Sequence, residues 1–118
     1  MKYALLIYGD QSAWAGLSDD EKAKLRAEEM PLWISAMGDL GQADPSMTGY
    51  ELDEGSTAKV VRVRDGERIV TDGPFAETKE IVGGLFLVDL PDLDEAIRVA
   101  SLIPTARYGS LEIRPIAE

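Results

Sequence analysis

Two segments of the chain carry apolar side chains at both odd and even positions. Residues 2–8 are apolar or aromatic at every position after the lysine, and residues 81–90 are apolar apart from two glycines and Asp89. Successive side chains of a strand point to opposite faces, so a strand with this pattern is covered on both sides. We predict that the two segments are central strands that pair with each other.

A long helix is predicted after the first strand. Ser18 followed by Glu21 is a capping-box pattern, and the apolar residues beyond it recur at approximately helical spacing as far as Gly41. Pro31 lies inside this segment, where it lacks an N–H and crowds a preceding carbonyl, so we expect it to kink or divide the helix. The apolar residues of this helix are Leu25, Met30, Trp33, Ile34 and Met37.

A second helix and two more strands complete the pattern. Asp92 and Glu95 are predicted to cap a helix that ends at Pro104, and residues 47–52 and 110–115 are predicted strands. The order β-α-β, hairpin, β-α-β predicts an α+β domain of ferredoxin-like architecture, with two helices on one face of a mainly antiparallel sheet. Because the central strands are apolar on both faces, we expect a second copy to cover the other face in a homodimer.

A β-hairpin is predicted between the first and the second β-α-β unit. Residues 57–64 and 67–71 have strand-like patterns, and the Asp65-Gly66 dipeptide between them accepts the positive φ values of a type I′ turn. The basic residues of this region are interrupted by acidic ones and indicate a solvated hairpin face rather than a nucleic-acid site. These basic residues are Lys59, Arg62, Arg64 and Arg68.

Length and composition limit the functions that the chain can have. At 118 residues, we expect one domain, spanning 1–118, that buries a sufficient core. The chain contains neither Cys nor His, so we predict no disulfide, no metal site and no cofactor, and acid, base or nucleophile roles fall to Asp, Glu, Lys, Tyr, Ser and Thr.

The charge of the chain bears on its partners. Twelve basic and twenty-two acidic side chains give a net charge of −10, which disfavours binding to nucleic acid or to an anionic membrane. No apolar run approaches the roughly 20 residues that a membrane span needs, and the first strand lacks the features of a signal peptide. We therefore expect a soluble, cytoplasmic protein.

The predicted topology brings three segments together at one end of the sheet: residues 8–10, 72–80 and 107–108. A small-molecule cleft is commonly built in such a place. We single out Asp72 as a candidate catalytic acid or base, with a purely structural role in its own Gly-Pro turn as the alternative. The candidate binding residues are Tyr8, Asp10, Phe75, Glu77, Lys79 and Arg107, with Trp14 as a further candidate.

Several of these residues also have a simpler interpretation. Arg107 could clamp a substrate carboxylate or pair with Glu77 or Asp10. Lys79 could orient an anion or belong to a solvated strand edge. Trp14 could line the cleft or be buried in the core or in an interface.

Three motifs stand in order along the chain: MKYALLIYGD at 1–10, TDGPFAETKE at 71–80 and RYGSLEIRP at 107–115. Together they resemble the YCII-related family, in particular its DGPF branch. The resemblance implies a ferredoxin-like domain that dimerises through its sheet, of the dimeric α/β-barrel type. Some related proteins look like small lyases or isomerases with a His-Asp pair, which this chain cannot carry because it has no His.

Two functions remain open from the sequence. The first is a homodimer that binds a small molecule at the strand ends, with lyase- or isomerase-like acid-base chemistry through Asp72. The second is a regulatory or protein-interaction module, because genes of the family often neighbour those of extracytoplasmic-function sigma factors, which implies a sigma-factor partner.

Overall fold

The structure is a computed structural model that describes residues 1–74 and 79–118. Two 3₁₀ turns, Gly55–Thr57 and Pro104–Arg107, connect its regular elements. The strands are β1 (Lys2–Asp10), β2 (Thr48–Glu51), β3 (Lys59–Arg64), β4 (Glu67–Asp72), β5 (Glu80–Asp89) and β6 (Ser110–Pro115), and the helices are α1 (Gln11–Ala15), α2 (Asp19–Ala43) and α3 (Leu93–Ser101).

Four of the strands form an antiparallel sheet in the order β2-β5-β1-β6. The two strands predicted to be central, β1 and β5, are adjacent, with Leu6 opposite Leu85 and Ala4 opposite Leu87. The strand order and the helical crossovers α2 and α3 confirm the ferredoxin-like α+β prediction.

The core lies between one face of this sheet and the helices. Tyr3 and Leu5 of β1 and Val88 of β5 are almost completely buried there, together with Leu40 of α2 and Val99 of α3. The alternate residues of the same strands point to the opposite face, which neither helix covers. This second face, which we call the open face, is only partly buried along Ala4, Leu6 and Leu85, and Leu87 and Tyr50 are exposed on it.

Helix α2 is continuous through Pro31, so of the two outcomes predicted there, a kink or a division, the division is wrong. Its first turn has the predicted capping box, in which the Ser18 hydroxyl accepts from the Glu21 N–H and the Glu21 carboxylate accepts from the Ser18 N–H. Pro31 and Ala27 are both exposed, so water can solvate the carbonyl that the proline leaves without an intrahelical donor. The helix therefore tolerates a proline that a buried position would not.

Strands β3 and β4 form a separate two-stranded sheet. Asp65 and Gly66 at its tip have φ angles of 51° and 78°, which confirms the predicted type I′ turn. In the part of the chain that the structure describes, no helix is long and apolar enough to cross a membrane.

Candidate functional site

A cavity of about 850 Å³ lies between α2 and the face of β1, β2 and β5 that points toward the helices. We call it the α2 cleft. Ile7 and Phe86 of the sheet and Met30 and Trp33 of α2 give it apolar walls, while acidic, amide and hydroxyl groups line the rest. Its volume lies within the range of roughly 300 to 1,000 Å³ that is typical of small-molecule sites.

The floor of the cleft depends on a close approach between β2 and β5. Gly49 of β2 pairs with Phe86 of β5, and a Cβ atom at Gly49 would lie 2.3 Å from the Phe86 Cδ1 atom. Glycine is therefore required at this position for the Phe86 ring to lie over the strand. The ring in this place forms part of the apolar wall.

A group of five side chains, which we call the Trp14 clamp, ties α2 to the segment that begins with β2. The Arg26 guanidinium carbon lies 5.4 Å and the Lys22 Nζ atom 5.9 Å from the centre of the Trp14 ring. Arg26 also pairs with Glu51 at 2.7 Å and Lys22 with Glu54 at 3.0 Å. The hydrogen bonds that Arg26 donates to the Glu51 carboxylate raise the pKa of Arg26. Exposed ion pairs add little stability, but these two hold one edge of the cleft in place.

A tyrosine and a glutamate meet at another part of the cleft. The Tyr108 hydroxyl, just after the second 3₁₀ turn, donates a hydrogen bond of 2.8 Å to the Glu29 carboxylate of α2. Burial first, and then the neighbouring carboxylate, raises the pKa of Tyr108, because both disfavour a negative phenolate. At neutral pH the Tyr108 phenol is thus neutral, and it acts as the hydrogen-bond donor of the pair.

Asp10 lies where β1 ends and α1 begins. Its carboxylate accepts from the Ser12 N–H at 2.9 Å and from the Ser12 hydroxyl at 2.5 Å. These bonds, with the charge of Lys79, lower the pKa of Asp10. The carboxylate therefore stays ionised near neutral pH and acts as an acceptor rather than as an acid. It lines both the α2 cleft and a neighbouring cavity of about 430 Å³, to which Trp14, Pro74 and Lys79 also contribute.

Comparison with known proteins adds the family. A family model of the YCII-related domain matches residues 1–118. The chain belongs to the YCII-related family. It is 37% identical over 122 aligned positions to an uncharacterised protein of Rhizobium meliloti (strain 1021), an alignment that covers 99% of this chain and 93% of that protein. The motifs at 1–10, 71–80 and 107–115 therefore identified the family correctly.

In this YCII-related protein, the residues predicted from the sequence are only partly brought together. Asp10, Trp14 and Lys79 line the smaller cavity, and the first two also line the α2 cleft. Phe75 and Glu77 lie outside the described residues. The remaining three predicted residues, Asp72, Tyr8 and Arg107, line neither cavity.

The structure places each of these three elsewhere. Asp72 ends β4 and forms an ion pair with Lys59, and its side chain is 85% exposed. Tyr8 lies on the open face of the sheet, where its hydroxyl donates to Glu112 at 3.2 Å. Arg107 is exposed at the end of the second 3₁₀ turn, next to Tyr108. Tyr108, which follows the turn, is also exposed, but unlike Arg107 it lines the α2 cleft.

The residues of α2 that line the cleft were missed from the sequence. Arg26, Glu29 and Trp33 follow Lys22 at intervals of four, three and four residues, the spacing of one helical face. That spacing could have indicated that these side chains share one face of the helix. Two basic side chains and one acidic side chain on a helix, however, usually indicate a solvent-exposed face. Within 1–74 and 79–118, no group of three or more carboxylates is arranged to hold a metal ion.

Proposed function

We propose that this YCII-related protein is a homodimer that binds a small organic molecule in the α2 cleft. The observation that carries the proposal is the cleft itself, about 850 Å³ in volume, with aromatic walls and several polar groups that converge on one space. Such a combination favours a ligand with an apolar body and one or two polar groups.

The charge around the cleft narrows the ligand class. Arg26 is the one cation among the described residues that line the α2 cleft, and it is already paired with Glu51. A ligand anion would meet an excess of negative charge, so neutral or cationic ligands are favoured. The carboxylates that line the cleft are Asp10, Glu29, Glu51, Asp53 and Glu54.

The Glu29–Tyr108 pair is the part of the cleft best suited to acid-base chemistry. The Glu29 carboxylate can accept a proton from a ligand, and the Tyr108 hydroxyl, which donates to that carboxylate at 2.8 Å, fixes its orientation. Lyase- or isomerase-like chemistry would therefore centre on these two residues. In this proposal they replace Asp72, which is exposed and outside the cleft.

The homodimer is supported by the open face of the sheet. Leu6, Leu85 and Leu87 lie side by side on that face, and apolar surface of this kind is usually covered by a partner. A twofold pair of copies, sheet against sheet, would bury it. A mass near 12.9 kDa by light scattering at every concentration tested would exclude the dimer.

Three matched compounds test ligand binding. Benzylamine, benzyl alcohol and benzoate share an aromatic ring but carry a positive, zero and negative charge. Trp14 and Trp33, the two tryptophans of the chain, both line the cleft, so intrinsic fluorescence reports its occupancy. We expect the amine and the alcohol to change the fluorescence at lower concentration than benzoate, and equal or tighter binding of benzoate would contradict the proposed class.

A cleft-filling variant is the control. Gly9 lines the cleft and a Cβ atom there would meet nothing within 4 Å, so we expect the side chain of Gly9→Leu to occupy part of the cleft. The variant should melt near the wild-type temperature and lose the fluorescence response. A folded Gly9→Leu that still responds as the wild type does would place binding elsewhere.

A regulatory role with a sigma factor stays a prediction of the family resemblance.

A further inference from the structure

The β3–β4 hairpin, residues 59–72, stands apart from the rest of the protein, and we call it the arm. Each residue from 61 to 72 is exposed, on both faces of the hairpin. The two strands pair only with each other. Among the described residues, those from 61 to 72 are not buried against the body of the protein, and a two-stranded hairpin with little packing is marginally stable in water.

One face of the arm carries three neighbouring valines, with Arg68 and the Lys59–Asp72 ion pair on the same face. Val61 lies opposite Val70, and Val63 shares their face because it is two residues from Val61. The three side chains are 60%, 54% and 60% exposed, respectively for Val61, Val70 and Val63. β-branched residues on one face of a hairpin are typical of a surface that packs against something.

The overall dimensions agree with a projecting arm. The radius of gyration is 16.2 Å, whereas a compact domain of this length has about 13.5 Å. The molecule measures 46 × 43 × 20 Å and is therefore flat. A second molecule could pack against this shape and cover the arm.

The net charges of the arm and of the rest of the chain indicate which kind of molecule would cover the arm. Four basic and three acidic side chains give residues 59–72 a net charge of +1. Because the whole chain has a net charge of −10, the remaining residues have a net charge of −11. A cationic arm is attracted to an acidic surface. The body of a second copy of this chain is such a surface, whereas the acidic body would repel a nucleic acid bound beside the arm.

We propose that the arm of each copy packs, through Val61, Val63 and Val70, on the acidic body of the second copy. This inference rests on the proposed homodimer and adds a reciprocal contact to the packing of the open faces. Each copy would then cover the three valines of its partner's arm. This reciprocal contact would also explain why an exposed hairpin has β-branched residues on one face.

Site-specific cross-linking tests the contact directly. The chain has no cysteine, so Val63→Cys carries one thiol, to which benzophenone maleimide can be attached. This protein is mixed with ¹⁵N-labelled wild type, allowed to exchange subunits, and irradiated. We expect cross-linked peptides that join the arm to ¹⁵N-labelled body residues, because these can arise only between copies. The same label at the exposed helical position Asp94→Cys is the matched control.

A second variant tests the energetics. Val61→Thr with Val70→Thr keeps the β-branched shape and the charge of the hairpin but places two hydroxyl groups on the face that we expect to be buried, and it should raise the dimer dissociation constant at least about tenfold, with an unchanged circular dichroism spectrum. An unchanged dimer dissociation constant in this variant would overturn the arm contact. So would cross-links between copies that are no more frequent for Val63→Cys than for Asp94→Cys. Either result would leave the open-face dimer unaffected. A monomeric wild type would overturn both, while the cleft is tested separately by its ligands.

Discussion

The Tyr108 hydroxyl donates a hydrogen bond to the Glu29 carboxylate across a sequence separation of 79 residues. The bond joins the segment before β6 to the middle of α2, where both residues line the α2 cleft. Tyr108 is 66% exposed and Glu29 is half-buried, and the cleft is bounded here by a phenol and a carboxylate that hold each other in position.

The first prediction concerns the pKa of Tyr108. In Glu29→Gln the negative neighbour is removed, so the pKa of Tyr108 should fall toward the ordinary tyrosine value. It should remain raised, because burial is the larger cause. NMR titration of ¹³C-labelled tyrosine rings measures the change. Tyr8, whose pKa is raised by burial and by Glu112, is the internal control and should not move. An unchanged Tyr108 titration would show that the bond is not made in solution.

The second prediction compares two Gly→Ala variants. Gly49→Ala places a Cβ atom 2.3 Å from the buried Phe86 ring, so the ring must move, at a cost of about 1 to 3 kcal/mol in the free energy of unfolding. Gly38→Ala, in the exposed middle of α2, meets nothing within 4 Å and should stabilise the protein by up to about 1 kcal/mol. Urea unfolding measures both. Equal effects of the two substitutions would contradict the close β2–β5 approach.

The third prediction concerns acid stability. Asp44, buried after α2, accepts from the Ser46 hydroxyl at 2.6 Å, from the Asp89 N–H at 2.8 Å and from the Ser46 N–H at 2.9 Å. These bonds, that of the Ser46 hydroxyl above all, lower its pKa. The folded protein thus binds this proton less readily than the unfolded chain. The resulting stability is complete above the ordinary pKa of about 4 and is lost as the pH falls through the lowered value.

Asp44→Asn isolates this contribution. At pH 7 the variant should unfold about 1 to 2 kcal/mol more easily, because an amide replaces a charged acceptor. Between pH 5 and pH 3, its stability should fall less than that of the wild type. Urea unfolding at each pH gives both quantities, and parallel curves for the two proteins would refute the role of Asp44. Asp10, Glu21 and Glu95 also have lowered pKa values, but they are present in both proteins and cancel in the comparison.

The fourth prediction concerns Asp72. From the sequence, Asp72→Asn is expected to keep its fold and lose ligand binding. The structure leads to the opposite expectation for binding, because Asp72 is exposed, pairs with Lys59 and does not line the cleft. We expect a loss of less than about 1 kcal/mol in stability and an unchanged benzylamine response. Loss of that response in a folded Asp72→Asn would restore Asp72 as a site residue.

Local patterns were sufficient for most of the fold. The capping box at Ser18 and Glu21, the Asp65-Gly66 turn and the two-faced strands each depend on neighbouring residues, so their structure follows from short-range chemistry. The expected break at Pro31 did not occur, because the cost of a proline depends on whether water reaches the carbonyl that it leaves unpaired. Exposure at that position is a property of the packed protein, not of the local sequence.

The candidate site required the tertiary structure. The sequence alone determined the family, the strand order and the absence of Cys and His, and it placed Asp10, Trp14 and Lys79 near one another. Only the packed chain brought Glu29 to Tyr108 and Arg26 to Glu51, because these contacts join residues far apart in sequence whose distance is set by how α2 lies on the sheet. Side-chain periodicity shows which face of a helix is apolar, whereas the partner of each polar group depends on long-range geometry.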